Sequence, residues 1–340
     1  MPNVPRRPTI NDVAARAGVS KSTAARALAD NGNVSREVRK RVHAAATQLQ
    51  YVVDVTARNL RVGKRREVGV LITNLRDSFY AELAGGIQTT LAAAGYNMIL
   101  ANDFGREADQ LQAVQTFTAL RLPGVILTPV TPAAVQTLTQ NNVAVVQADR
   151  IVDEPATDAV LSANERGAQE ATAHLLGRGH RRILLLIDEV VWTTGAGRLQ
   201  GYRNAFRAAD ITADENLTVF SSSDPTVARQ QVATVLDEHP EITAILAANS
   251  VLAEAAFTEV QERGLLAAIS LVAYDDAPWM SMVRPTVSTI SQHAEEIGRC
   301  AAELLIKRME ATTERPPITL YVNPTFLPRQ SIRDAPPPAG

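Results

Sequence analysis

TINDVAARAGVSKSTAARAL, residues 9–28, is the stretch on which the reading of this chain turns. Thr9 stands where a helix cap is wanted, and Asp12 three places on suits a capping box. Val13, Ala14 and Ala17 then make an apolar face, and Gly18 falls where a left-handed residue ends a helix. Ser20 caps a second helix over 21–29, whose Thr23, Ala24, Ala27 and Leu28 can turn inward. Asn31-Gly32-Asn33 is turn chemistry. Ser35 opens a third helix with Val38, Val42, Ala45, Ala46 and Leu49 at helical spacing. Three short helices with a tight turn between the first two predict a helix-turn-helix headpiece, the second helix entering a major groove N-terminus first.

Charge sets this end apart. Residues 1–66 hold fourteen Lys and Arg against four Asp and Glu, whereas the whole chain has a net charge of −2. A cationic head is joined to an acidic body. The head suits a polyanion, because each neutralised phosphate releases condensed counterions. Arg26 is the expected base reader, since arginine bonds guanine O6 and N7 in bidentate fashion. Ser20, Lys21, Ser22 and Thr23 flank it, and Thr9 sits at the first helix's N-terminus. A three-helix bundle with a merely solvated basic face is the plain alternative.

The chain has 340 residues, 46% of them hydrophobic, which is enough for more than one domain. Its single cysteine, Cys300, forms no intrachain disulfide and fits a reducing compartment. No apolar run is long enough to span a membrane, and the start lacks the apolar stretch of a secretory signal. A cytoplasmic location is therefore expected. From residue 67 onward, β-branched runs at 68–73, 97–101, 124–128, 143–148, 183–187, 217–221, 243–247 and 269–274 alternate with helical patterns. The helical stretches are 79–94, 107–120, 132–140, 165–177, 197–209, 225–238, 249–263 and 293–310. Such alternation means an α/β fold with doubly wound parallel sheets, and two lobes facing a cleft accommodate eight units best.

Ligands of open α/β sheets sit beyond the carboxyl ends of the strands. That rule nominates 74–80, Asp149-Arg150, 188–198, Ser223-Asp224, Asn249-Ser250 and Asp275-Asp276. Phe79, Tyr80 and Trp192 offer ring faces, though the first two also open a helix and can simply pack. Asp149, Arg198, Asn249 and Asp275 offer hydrogen bonds to hydroxyl groups, though the aspartates can equally cap loops or helices. Rejecting an analogue is easiest for buried groups of this kind, which it leaves unpaired.

The order TINDVAARAGVS (9–20), VSREVRKRVHAAATQLQY (34–51), ARNLR (57–61) and VGVLI (68–72) resembles the lactose/galactose repressor family of bacterial regulators. The resemblance runs from about residue 9 to about 333. It implies a headpiece at 1–50, a hinge helix and linker at 51–66, and a periplasmic-binding-protein-like core at 67–333. In that core, lobe one takes 67–160 with 293–315 and lobe two takes 161–291 with 320–333. Residues 334–340 are expected to be a disordered tail without the leucine heptads of a tetramer. By the resemblance, Leu60 is a minor-groove wedge and the arginine of TTGAGRLQGY, Arg198, holds an effector; Arg58 and Arg61 either add phosphate contacts or simply belong to a solvated charged linker. The partners implied are a palindromic DNA operator, a second copy of the chain, and a sugar or related metabolite. Ala25, Ala29 and Val53 depart from the family pattern in the head and hinge. Ala163, Ser223 and Ser250 depart from it in the core, and their loss of carboxylates and an aromatic points to a smaller or anionic ligand.

Other readings fit less well. GAGRLQG (195–201) has its third glycine one place late for a dinucleotide loop. The histidines at 43, 174, 180, 239 and 293 show no metal-ligand spacing. No nucleophile elbow or Walker sequence is present. Neither an enzyme, a cofactor nor a metal is therefore expected. A transported-solute receptor would lack the basic head. A DNA-binding protein with a ligand-blind core is the remaining rival.

Overall fold

The computed structural model describes residues 8–29, 34–51, 66–153, 156–188, 190–221, 224–313 and 315–337. The chain divides into two units, Met1–Arg65 and Arg66–Gly340.

The first unit holds α1 (Ile10–Ala17), α2 (Lys21–Leu28) and α3 (Arg36–Gln48). Its core is built from Val13, Ala14, Ala17, Ala24, Ala27, Val42, Ala45 and Ala46, with Leu28, Val38 and Leu49 packed against them. Six of the eight are alanines, so the helices approach closely and little side-chain entropy is lost on packing. The expected turn at Asn31-Gly32-Asn33 lies outside the described residues, as does nearly all of the hinge, including Val53, Arg58, Leu60 and Arg61.

The second unit carries two six-stranded sheets. The first contains β1 (Glu67–Ile72), β2 (Asn97–Asn102), β3 (Gly124–Leu127), β4 (Ala144–Asp149), β5 (Asp158–Ser162) and β11 (Thr319–Val322), in the order β11-β5-β4-β3-β1-β2. All its pairings are parallel. The second contains β6 (Ile183–Ile187), β7 (Thr218–Phe220), β8 (Ala244–Ala247), β9 (Ser270–Tyr274), β10 (Ser288–Ser291) and β12 (Thr325–Leu327), in the order β12-β10-β9-β8-β6-β7. Only the β10–β12 pair is antiparallel. Strands such as GVIL in β3 and ILLLI in β6 are buried throughout. Continuous apolar runs of that kind mark parallel strands covered on both faces.

Helices supply the cover. α4 (Ser78–Ala93) and α12 (Ala294–Glu310) close one face of the first sheet; α5 (Glu107–Ala119) and α6 (Pro132–Gln140) close the other. On the second sheet, α7 (Asn164–Gly177) and α8 (Thr193–Ala208) face α9 (Pro225–Glu238), α10 (Ser250–Glu262) and the short α11 (Trp279–Met282) across the strands. Gly201 lets α8 lie against α7: a Cβ there would come within 2.1 Å of the Glu165 carbonyl oxygen. The glycines of GAGRLQG thus sit inside α8, which begins at Thr193 rather than near 197.

The chain passes between lobes three times, at Ala163, at Gln292-His293 and at Asn323-Pro324. Two expectations change here. Residues 320–322 belong to the first lobe, not the second, because β11 pairs with β5. The reason is Asp158, fully buried, which binds Arg308 at 2.6 Å, Arg315 at 3.1 Å and the Ile318 amide at 2.8 Å, and so fastens the segment before β11. The tail also begins later than expected: Ala335 N donates to Arg178 O at 2.9 Å and Asp334 pairs with Arg178 at 3.1 Å.

Candidate functional site

In the headpiece, Gly18 adopts φ 63° and ψ 41°, and its amide and that of Val19 close α1 on Ala15 O and Ala14 O. This left-handed residue turns the chain from α1 into α2 at little steric strain. Ser20 Oγ accepts from Thr23 N at 3.1 Å and lies 2.9 Å from Ser22 Oγ and 2.8 Å from Thr23 Oγ1. Three hydroxyls therefore gather at the N-terminus of α2, where the helix dipole favours an anion. Lys21 and Arg26 are exposed beside them, and Arg26 Nε donates to Ser22 O at 3.3 Å. Thr9 is engaged at the start of α1: its amide and hydroxyl both donate to Asp12 Oδ2 at 2.7 Å. Arg16 Nε reaches Gln48 Oε1 at 3.2 Å and ties α1 to α3.

The cleft lies at the carboxyl ends of both sheets. In each sheet the strand order reverses once, between β1 and β3 and between β6 and β8, which is where α/β ligand crevices form. Asp149 ends β4 with φ 73°, and Asp275 follows β9 with φ 66°. Left-handed backbone at non-glycine residues is uncommon and gathers at functional sites. Each lobe thus presents a buried aspartate from a constrained strand end.

Arg198, from the first half of α8, is buried. Its Nε donates to Asn164 Oδ1 at 2.7 Å, Nη2 to Gln292 Oε1 at 3.2 Å and Nη1 to the Ala248 carbonyl oxygen. The guanidinium lies 4.2 Å from the centroid of the Tyr274 ring. Gln292 Nε2 in turn donates to Asp275 Oδ1 at 2.6 Å. Tyr80 OH donates to Asp149 Oδ2 at 3.1 Å, and Arg150 Nη2 donates to Thr73 Oγ1 at 2.8 Å. Asn249 spends its amide oxygen capping α10 through Leu252 N at 2.8 Å, and its amide nitrogen on Asp188 Oδ2 at 3.1 Å.

Contacts between lobes run through the same groups. The Arg150 guanidinium covers the Trp192 ring at 4.5 Å, and Ile151 N donates to Thr193 Oγ1 at 3.4 Å. Ser250, whose hydroxyl replaces a carboxylate of the family pattern, faces Asp77 across the cleft and helps to lower its carboxyl against burial. Burial pushes the Asp275 carboxyl up to about 7, helped by the charges of Asp77 and Asp149 and opposed by Arg198. Asp149 is likewise raised by burial, against the pull of Arg150 and Arg198, and Asp77 is raised by burial too.

Of the ring faces read from the sequence, Tyr80 and Trp192 stand in the cleft, but Phe79 belongs to the core. Its side chain is 5% exposed, packs with the first lobe's apolar cluster, and meets Tyr80 edge-on at 5.1 Å. Position 80, one residue further round the helix, turns to the strand ends instead. Ser223 lies outside the described residues. Asn164 and Gln292 escaped the sequence reading because each follows a strand, β5 and β10, that is short and rich in Ser, Thr or Asp. The pocket expected to have fewer carboxylates still holds five. Asp77, Asp103, Asp149 and Asp188 supply the negative charges that act on Arg150 and Tyr80, and Asp275 adds a fifth. Among the described residues no cluster has the makings of a metal site, and no helix is long and apolar enough to cross a membrane.

A helix-turn-helix head followed by a two-lobed cleft defines a ligand-responsive DNA-binding regulator. Two family models match the chain: bacterial regulatory proteins of the lacI family over residues 9–54, and periplasmic binding proteins and sugar binding domain of the LacI family over residues 65–325. The chain belongs to the LacI family, and it is a transcription regulator rather than an enzyme. It is 28% identical to the HTH-type transcriptional repressor PurR of Klebsiella pneumoniae (strain 342), over 96% of this chain and 98% of that protein. It is also 28% identical to the ribose operon repressor of Haemophilus influenzae, over 95% and 98%. Among solved structures, a complex of the transcriptional regulator CelR with cellobiose matches with a TM-score of 0.72 at 27% identity, covering 96% of this chain and 100% of that one. The Lac repressor bound to ONPG in the repressed state matches in fold, with a TM-score of 0.83 at 24% identity over 96% and 100%.

Proposed function

We propose that this protein is a repressor that binds a two-fold symmetric operator as a homodimer and is tuned by a small hydroxylated metabolite held between its lobes. One headpiece reads only a half-site, and joining two raises the effective concentration of the second. Arg26 reads a base, while Lys21, Ser20, Ser22 and Thr23 hold phosphates at the N-terminus of α2, and Thr9 does so at α1. Arg58 and Arg61 add phosphate contacts and Leu60 wedges a minor-groove step. The working place is the cytoplasm, on the nucleoid when the operator is bound. The boundaries that go with this reading are headpiece 1–50, hinge 51–66 and effector core from 67 onward.

In the cleft, Tyr80, Asp149, Trp192, Arg198 and Asp275 contact the effector, and Asn249 acts through Asp188. Phe79 is left out of that set. The observation that carries the reading is Arg198, which joins α8 to two of the residues beside the interlobe crossings, Asn164 and Gln292. An effector drawing on that guanidinium binds differently at different lobe angles, which is what a switch requires. The test is selection of bound sequences from random duplexes with and without a metabolite extract. A palindromic consensus whose recovery changes with the extract supports the proposal. Binding with no sequence preference over genomic competitor at moderate salt refutes it.

A further inference from the structure

Resting on the cleft assignment above, we infer that the effector is a cation: a hydroxylated molecule bearing a protonated amine. The cleft opposes the carboxylates of Asp77, Asp103, Asp149, Asp188 and Asp275 with only the guanidinium groups of Arg150 and Arg198 among the described residues. Both guanidinium groups are already engaged. Arg198 is bonded to Asn164, Gln292 and Ala248 O, and Arg150 is bonded to Thr73 and laid over Trp192. Those partners carry no charge, so the two positive charges are spread over the carboxylates: Arg198 acts on Asp77, Asp149 and Asp275, and Arg150 on Asp103 and Asp149. Asp103 is satisfied locally by Gln110 Nε2 at 2.6 Å and Gly105 N at 2.9 Å. Two positive charges do not balance five carboxyl groups, and burial holds Asp77, Asp103, Asp149 and Asp275 above the usual range, so a cation brought into the cleft favours their ionised forms.

Unpartnered atoms point to a ligand independently of that count. Asp188 Oδ1 is buried with no hydrogen-bond partner, although Oδ2 accepts from Asn249. Thr128 Oγ1, just beyond β3, and Arg150 Nε, just beyond β4, are also buried and unpartnered, in residues 1% and 7% exposed. Buried polar groups in folded proteins are nearly always bonded, so such atoms at the ends of neighbouring strands mark places for ligand atoms. An ammonium group supplies three donors and a positive charge to a carboxylate such as Asp188. Ligand hydroxyls can accept from Arg150 Nε and bond Thr128 Oγ1. An anion would meet several carboxylates at once, and a neutral polyol would leave the buried carboxyl groups without a counter-charge.

The acidic field continues outward. A groove of about 350 Å³ between α4 and the start of α12 is lined by Glu82, His293, Glu295 and Glu296, with Arg299 paired to Glu296. A smaller recess shares Glu82, Ser291 and His293 with it and reaches Asp275. Glu82 is held above the usual range by partial burial and by the charges of Asp276, Glu295 and Asp77.

The experiment uses the full chain and matched sets of compounds. Each set pairs a neutral polyol with its amine and its acid, as in glucose, glucosamine and glucuronate, or galactose, galactosamine and galacturonate, with aminoalditols beside their parent alditols and aldonates. Thermal shift ranks them, and calorimetry at 0.1 M salt measures the strongest. The expected result is an amine as the tightest member, at least tenfold tighter than its neutral counterpart. Asp188→Asn, with Asp77→Asn as a second variant, should remove most of that preference. A neutral or acidic compound binding tightest would overturn the inference while leaving the cleft reading intact. An amine preference unchanged in both variants would overturn it as well. If no compound of any charge binds, the cleft reading itself fails and this inference falls with it.

Discussion

Asp275→Asn tests the electrostatics of the cleft directly. In the folded protein the Asp275 carboxyl is raised from 3.8 to about 7, chiefly by burial and then by the Asp77 charge. A raised carboxyl keeps its proton longer folded than unfolded. Its favourable contribution is complete below about pH 4 and is lost as pH rises to about 7, since stability falls wherever the native state binds more protons. Each pH unit in that window is worth about 1.4 kcal/mol, so the full effect is about 4 kcal/mol and the part between pH 5 and 7 is about 3 kcal/mol. Asparagine has no such titration and can still accept from Gln292 Nε2, now 2.6 Å away.

Other groups complicate the wild-type curve, and those that do not act on Asp275 cancel in the difference. Asp77 and Asp149, also raised, act in the same direction as Asp275. His174 and His180, both lowered by burial, act oppositely and lose their contribution as pH falls through the histidine range. The quantity to measure is therefore variant minus wild type, by urea unfolding at pH 5, 6, 7 and 8. Trp192 and Trp279 are the chain's two tryptophans, so their fluorescence follows the core and not the headpiece. The advantage of the variant should grow by about 3 kcal/mol from pH 5 to pH 8, and by less in an Asp77→Asn background. A difference that stays flat, or shrinks as pH rises, would refute the account of the cleft given above.

Three further outcomes are expected. Arg26→Ala should cost about 1–3 kcal/mol at one operator position and relax preference there; an equal loss on every sequence, seen by selection from random duplexes, would count against base reading. Leu60→Ala should weaken operator binding and reduce DNA bending without changing effector affinity, and an unaltered bend angle in a gel-phasing assay would sink the wedge. Gly201→Ala places a Cβ 2.1 Å from Glu165 O, so α7 and α8 must separate. A loss of about 1–3 kcal/mol of core stability should follow, and an unchanged urea midpoint would contradict the packing described.

The headpiece was legible because its signals are local. Ser20 and Ser35 cap the helices that follow them, Gly18 is left-handed, and the alanine faces pack as their spacing implies. Eight strands were legible for the same reason, being runs of apolar residues set off by helices. Four were not: β5, β10, β11 and β12. Asp158 in β5 looks like a loop residue until Arg308 and Arg315, distant in sequence, surround it. At the site, Asp149, Arg198, Asn249 and Asp275 follow strands or lie in a motif that could be read. Asn164 and Gln292 follow strands that could not. Asp77, Arg150 and Asp188 fell within the nominated loops, yet their importance arises only when two lobes exclude water from them. Phe79 and Tyr80 differ by one helix position, and composition cannot say which of the two turns inward.

Gln292 shows how the cleft bears on the lobe angle. It stands at the crossing from β10 to α12, accepts from Arg198 at 3.2 Å and donates to Asp275 at 2.6 Å. Asn164, just past the crossing from β5 to α7, accepts from the same arginine at 2.7 Å and uses its carbonyl for Tyr274 OH at 2.6 Å. A ligand that merely fills space touches neither crossing. A ligand that takes hydrogen bonds from Arg198 or gives them to Asp275 must compete with Asn164 and Gln292, and the balance depends on how the crossings are bent. The coupling required of such a switch, about 1–3 kcal/mol, equals the net worth of one or two hydrogen bonds. Rearranging the partners of this one arginine is therefore enough to favour one lobe angle over another.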